Sequence, residues 1–149
     1  MPEMSPAAQV LARRVLRHEA GGRAEPAALA EAVERADARL RGRLASLIGP
    51  TGYTTLVARA VHLARAEVPA LECVTVDAPA TGAEGGLHGV REFARASGDA
   101  GAAEAGLSAI LAHVVGLLVT FIGEDLALRL VREAWPELAP GPDAVEGRA

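Results

Sequence analysis

The sequence predicts an all-α fold, a single-domain bundle of about five to six helices with one long glycine-rich loop. Half of the 149 residues are hydrophobic, but only 3% are aromatic, so alanine, leucine and valine supply most of the apolar content. Alanine and leucine are strong helix formers, whereas strands favour β-branched and aromatic residues. The apolar residues also recur at helical spacing in segments that proline or glycine bounds.

Three helices are predicted in the first half of the chain, over residues 5–21, 26–49 and 53–68. Proline at the start and glycine at the end are the usual boundary signals of a helix. The pair Gly49-Pro50 separates the second predicted helix from the third, because proline lacks the N–H that a continuous helix needs.

The second predicted helix has the clearest amphipathic pattern. Apolar residues, Leu40 and Leu44 among them, recur at four-three spacing over about five turns, which predicts a buried face. Asp37 and Arg41 are assigned to the opposite, polar face as an i,i+4 ion pair. The arginines within residues 35–43 alternate with acidic residues and have no aromatic neighbour, so we expect no nucleic-acid binding.

The middle of the chain lacks helical periodicity. Residues 73–76 would suit one short extended segment, but the sequence offers no strand for it to pair with. Residues 78–89 are rich in glycine, and we expect a long mobile loop there. A short helix over residues 87–96 is predicted to follow it.

A helix over residues 99–122, capped by an aspartate, is predicted to be the central one. Its second half is apolar on nearly all sides, so its bulky residues, Phe121 included, are expected in the core. Ala112, Gly116 and Thr120 recur every four residues as a ridge of small side chains. Such a ridge would let another helix approach closely. One more helix is predicted after Gly123.

One domain is predicted over residues 1–149, ordered from about 5 to 138 and with a frayed tail at 140–149. A single cysteine, Cys73, cannot form an intrachain disulfide, which favours a reducing, cytoplasmic location. The N-terminus has no signal-peptide pattern. The longest apolar run, residues 107–122, is shorter than the ~20 residues that cross a bilayer, so no membrane helix is expected.

Lysine is absent, and all 15 basic residues are arginine. A Walker-type phosphate loop and a Schiff-base enzyme both need a lysine, so the sequence excludes both classes. The net charge of −4 is mild and both signs are interspersed, which gives no polyanion-binding patch. We expect no cofactor and no metal.

Three functional hypotheses remain, and the first is a non-enzymatic helical interaction module. It would associate with itself or with a protein partner in bacterial regulation. Its interface is predicted at Ala112, Gly116 and Thr120 of the ridge, together with Leu40 and Leu44. The helix that approaches the ridge would come from the same chain, as the one bearing Leu40 and Leu44, or from a second copy of the chain.

The second hypothesis is a small-ligand sensor with an apolar pocket near His113, which lies in the most apolar helix. A buried histidine would bind a ligand or act as a base, but it is more often a core residue whose nitrogens bond to neighbours. The scarcity of aromatic residues argues against haem at this position.

The third hypothesis is a metal-dependent or acid-base enzyme that uses Glu84, His88 and Glu92. These residues are spaced i, i+4 and i+8, which would align two carboxylates and an imidazole on one helix face. The glycines at positions 85, 86 and 89 interrupt the helix that this arrangement requires, so a solvated loop is favoured instead.

Overall fold

The computed structural model describes residues 6–76 and 87–138. Almost all of this part is helical, with five α-helices: α1 (Pro6–Glu19), α2 (Pro26–Glu67), α3 (Val90–Ser97), α4 (Ala100–Ile122) and α5 (Glu124–Ala134). Short 3₁₀ turns, Pro69–Cys73 and Pro136–Leu138, follow α2 and α5. The predicted all-α bundle is confirmed. Residues 78–86 of the predicted loop and the tail at 140–149 lie outside the described residues.

A sharp bend divides α2 at Gly49, which has φ 82° and ψ 157°. Pro50 follows and cannot donate a backbone hydrogen bond, so the helical ladder is interrupted there. We call residues 26–48 the first arm of α2 and residues 50–67 its second arm. The two arms correspond to two of the helices predicted from the sequence.

The arms fold towards each other at this bend. The hydroxyl of Tyr53 in the second arm donates a 2.8 Å hydrogen bond to Oδ1 of Asp37 in the first arm. In a straight helix, residues this far apart in sequence would be separated by about 24 Å. The bond therefore exists only because the helix changes direction at Gly49.

Helix α4 is the centre of the bundle and packs against α1, α2, α3 and α5. The Asp99 carboxylate caps its first turn and accepts hydrogen bonds from the backbone N–H groups of Gly101 at 3.3 Å and Ala102 at 3.2 Å. This cap and the central position of the helix were both predicted from the sequence, and both are confirmed. Its fully buried side chains include Leu107, Ile110 and Leu118.

By length and composition, α4 is also the one described helix that would be able to cross a membrane. Its most apolar stretch has a mean hydropathy of 2.2, and 61% of that stretch is buried within the fold. The core helix of a soluble protein is equally apolar. The helix is therefore weak evidence about membranes.

A short antiparallel ladder corrects the prediction for the middle of the chain. Strand β1 (Thr75–Val76) pairs with strand β2 (Leu87–His88), with Thr75 opposite His88 and Val76 opposite Leu87. The expectation that residues 73–76 have no partner strand is wrong. A Cβ on the next residue, Gly89, would overlap the carbonyl oxygen of Cys73, and Gly89 has φ 87°. Glycine is therefore the residue that fits between β2 and α3.

Candidate interaction surface

His113 belongs to the packed interior of the bundle. Its side chain is nearly buried, and Nε2 lies 2.9 Å from Oε2 of Glu67, at the end of the second arm of α2. Four grooves on the described part of the molecule do not include His113 itself in their linings. The histidine thus links α4 to α2. One small groove, lined by Glu67 and Ala112 among others, lies beside this pair, and the ligand pocket near His113 stays a prediction.

The set Glu84, His88 and Glu92 does not share a helix face. His88 is in β2, and Gly89, in the left-handed conformation, separates it from α3, which begins at Val90 with Glu92 in its first turn. Glu84 lies outside the described residues. The helical alignment that suggested a metal or acid-base site is therefore wrong. No group of three metal-binding side chains occurs in residues 6–76 and 87–138.

The predicted interface residues separate into buried and accessible ones. Leu40, Leu44 and Ala112 are buried in the core of one copy, so a surface offered to another molecule does not include them. Gly116 is partly buried and Thr120 is exposed. The Thr120 hydroxyl donates a 3.1 Å hydrogen bond to the carbonyl oxygen of Gly116. Only the C-terminal end of the ridge reaches the surface.

That end of the ridge borders an open groove between the second arm of α2 and the end of α4. The groove has a volume of about 610 Å³ and is lined by Ile48, Gly52, Thr55, Leu56, Arg59, Leu117, Thr120, Phe121 and Ile122. We call it the apolar groove. Most residues of each wall have another lining residue three or four positions away, which is why they lie on one face of their helix.

Phe121 is the most exposed large hydrophobic residue of the described chain, with 71% of its surface accessible. The prediction that it is a core residue is wrong. The chain turns at Gly123, where φ is 90°, and α5 then packs through Ala127 and Val131 without covering Phe121. Leu126, also exposed, lies four residues after the groove residue Ile122.

A second groove, of about 390 Å³ between α1 and α5, is also mainly apolar. Its lining includes Pro6 and Leu138, the first and last described residues. The apolar groove beside Phe121 is lined by residues of α2 and α4 instead, away from the bounds of the described chain, and we take it as the candidate surface for binding another molecule.

The arginines of the first arm bind carbonyl groups at the end of α5. Arg39 Nη1 donates a 2.7 Å hydrogen bond to the carbonyl oxygen of Ala134, and Arg43 Nη2 donates one of 3.0 Å to that of Glu133. The last carbonyls of a helix have no partner within the helix, and positive charge is favourable there. These arginines therefore cap α5.

The carboxylate of Glu19, at the end of α1, is the centre of a second polar cluster. The indole Nε1 of Trp135 donates a 2.7 Å hydrogen bond to Glu19 Oε2, and Arg39 Nε lies 3.2 Å from the same oxygen. Arg35 pairs with Glu19 Oε1 at 3.4 Å. The Arg39 guanidinium also lies 5.7 Å from the centre of the Trp135 ring, at cation-π distance. The cluster ties α1, α2 and the end of α5 together.

Asp37 is buried, although the sequence pattern placed it on the exposed polar face. Its carboxylate accepts hydrogen bonds from the Tyr53 hydroxyl and, at 2.9 Å, from Arg41 Nη2. Burial raises the pKa of Asp37 despite these bonds, and burial beside Asp37 raises the pKa of Tyr53 well above its ordinary value. A signal existed: Asp37 is four residues after Val33 and three before Leu40, within the buried stripe.

The fold and the groove define the class of this protein in structural terms, as a small helical bundle with an open apolar groove. No protein-family model matches the chain, and neither a curated protein nor a solved structure is significantly similar to it. What the protein does must therefore be argued from its own residues.

Proposed function

We propose that this chain is a non-enzymatic helical interaction module in bacterial regulation, which binds a protein partner through the apolar groove. The observation that carries the proposal is the exposure of Phe121 beside an open groove walled by Leu56 and Leu117. Covering apolar surface is worth roughly 25 cal/mol per Å². Contiguous exposed apolar surface is a frequent mark of a protein-binding site.

The composition of the groove supports a protein partner. Arg59 is the one charged residue of its lining, and the others are apolar, glycine or threonine. The centres of protein interfaces are depleted in charge and enriched in aromatic residues, while their rims are polar. Phe121 would occupy the centre of such an interface and Arg59 its rim.

The arrangement of the first arm favours the same interpretation over nucleic-acid binding. Arg39 and Arg43 are bound to carbonyl groups of α5, and Arg35 is bound to Glu19. Arginines held in this way are less available to phosphate groups, whose neutralisation supplies most of the affinity for nucleic acids.

The test is a photo-crosslinking amino acid at position 55, on the rim of the groove, in the cells that produce this protein. Thr55 is exposed and lines the groove, whereas Arg95, the matched control position, is exposed on α3. We expect discrete protein adducts from position 55 and none of the same mass from position 95. Identical adducts from both positions, or none from position 55, would contradict the proposal.

A small apolar ligand is the second candidate occupant, because the groove is within the range of roughly 300–1,000 Å³ of small-molecule sites. Native mass spectrometry of protein purified from cells would detect such a ligand as added mass. Leu117→Trp would fill the groove and should abolish the added mass. A chain that carries no added mass would leave the protein partner as the occupant.

A further inference from the structure

We infer that the partner is a second copy of this chain, related by a two-fold axis, with Phe121 of each copy seated in the apolar groove of the other. This inference rests on the proposed function and names the partner that the groove binds. It depends on three features of the surface: its shape, its unpaired charges and the absence of an unsatisfied polar group at its centre.

The shape is suited to self-association because a protruding side chain and a groove are adjacent on one surface. In a two-fold interface the same patch is used by both molecules, so each patch must carry both halves of every contact. Phe121 protrudes at the end of α4 and is at the same time part of the groove wall, beside Leu117. Two copies facing each other would each supply one ring and receive one.

The charged residues near the groove are also suited to a two-fold interface, because one patch carries both signs of charge. Arg59 is in the wall formed by the second arm, and Glu124 and Asp125 begin α5 immediately after the opposite wall ends at Ile122. All three charged side chains are exposed, and within the described part of the chain none of them forms an ion pair or a side-chain hydrogen bond. Across a two-fold axis, Arg59 of one copy would face the acidic pair of the other, twice.

Two other carboxylates, Glu104 and Glu34, are paired within the chain. Glu104 pairs with Arg17 at 2.8 Å, and Glu34 pairs with Arg91 at 2.9 Å, both within the chain. Arg59 in the lining of the apolar groove, and the acidic pair that follows Ile122 of the opposite wall by two and three positions, are not paired in this way among the described residues. Complementary charges at an interface rim fix its register and its specificity.

The centre of the patch would be covered without leaving a polar group unpaired. The Thr120 hydroxyl already donates to the carbonyl oxygen of Gly116, so burial would not remove its hydrogen bond. An unsatisfied hydroxyl would oppose association, whereas a satisfied one does not. The small side chain of Thr120 and the missing one of Gly116 also let two α4 helices approach closely.

The first experiment measures the dissociation constant of the full chain by analytical ultracentrifugation. The unmodified protein should form dimers, and Phe121→Glu should raise the dissociation constant by at least about thirty-fold, as the loss of a central aromatic side chain does. Val10→Glu is the matched control, since Val10 is 58% exposed on α1 and is not part of the groove. The control should leave the constant unchanged, and circular dichroism should show both variants folded.

The second experiment tests the two-fold charge arrangement. Arg59→Glu should weaken the homodimer, and so should a Glu124→Arg, Asp125→Arg double variant, because each places like charges opposite each other. An equimolar mixture of the two variants should form a heterodimer, since every contact across the axis then joins opposite charges. High salt should weaken this heterodimer.

The outcomes separate the two proposals. An unmodified chain that stays monomeric at its highest soluble concentration overturns the second-copy inference, and so does a dimer that Phe121→Glu leaves intact. A mixture that fails to form the heterodimer also overturns it. If position 55 nevertheless crosslinks to a different protein in cells, the interaction module stands with another partner. If position 55 gives no adduct either, both proposals are wrong.

Discussion

The two arms of α2 follow each other directly in the chain, but the residues on their outer faces make different kinds of contact. The first arm directs Arg35, Arg39 and Arg43 at groups within the same chain, and their hydrogen bonds close α1 and α5 onto the bundle. The second arm presents Thr55 and Arg59 to an open groove. The charged groups of the first arm are thus already bonded within the chain, whereas the face of the second arm is mainly apolar and uncovered.

The difference shows that a charged face is not by itself a binding surface. Hydrogen bonds made within the chain leave little to gain from a new partner, whereas exposed apolar surface gains free energy when it is covered. Substitutions of buried residues, or of residues bonded within the chain, should therefore change the free energy of unfolding. Substitutions in the groove should change association.

The two phenylalanines of the chain give the largest expected contrast. Phe93 is buried, and Phe93→Ala should lower the free energy of unfolding by about 3–5 kcal/mol, because it removes the ring and leaves a cavity. Phe121→Ala should change it by less than about 0.5 kcal/mol in dilute solution, where association does not contribute. Urea denaturation followed by circular dichroism measures both, and equal losses would contradict the comparison.

The buried cluster at the bend gives the next largest effect. Asp37→Ala leaves the Tyr53 hydroxyl and the Arg41 guanidinium without their shared partner, and it should cost about 3 kcal/mol. This is the lower end of the usual range because the Arg41 side chain is 23% exposed. Tyr53→Phe removes a single hydroxyl and should cost about 1–2 kcal/mol. A larger loss for Tyr53→Phe than for Asp37→Ala would show that the carboxylate does not hold the bend.

Two helical glycines distinguish a packed face from an open one. A Cβ on Gly106 would overlap the ring of Phe93, so Gly106→Ala should cost about 1–3 kcal/mol. Nothing lies close to a Cβ on Gly42, so Gly42→Ala should raise stability by up to about 1 kcal/mol through helix propensity. Thermal unfolding of the pair checks both signs, and a stabilised Gly106→Ala variant would show that α3 yields at this contact.

The smallest expected effect is on the pH dependence of stability, which should differ between an exposed ion pair and the buried cluster. The hydrogen bond from Arg17 lowers the pKa of Glu104 below 4.5, so its contribution to stability is present above that pH and is lost as the pH falls through the lowered value. Burial raises the pKa of Asp37 above 3.8, so its contribution is lost as the pH rises instead. Stability measured down to acid pH should therefore fall less steeply in Glu104→Gln and more steeply in Asp37→Asn. The same slope in both variants would contradict these assignments.

The elements that local signals define were predictable from the sequence. Pro6 and Asp99 begin helices, and Gly49 with Pro50 divides α2, because capping and missing donors act within one turn. The pairing of β1 with β2 was not predictable. Each strand has two residues, which is too few to show the alternation of a strand, and the partner is not an adjacent segment.

The candidate site was harder to predict because α4 is apolar on nearly all sides. Such a helix has no polar stripe that would show which residues face solvent, so the exposure of Phe121 depends on where the chain goes after Gly123. The small-residue pattern led to Gly116, whereas the glycine on which an aromatic ring packs is Gly106. Sequence spacing gives the positions of small residues but not the identity of the helix that meets them.

The bond between Trp135 and Glu19 joins residues 116 positions apart, and it sets a lower limit on when the bundle can be completed during synthesis. At roughly 5–20 residues per second, α1 leaves the site of synthesis about 6–23 s before its indole partner is made. During that interval the apolar side of α1 lacks its contacts with the end of α5. The newly made chain thus depends on α5, the last helix of its described part, to close the core that α1 begins.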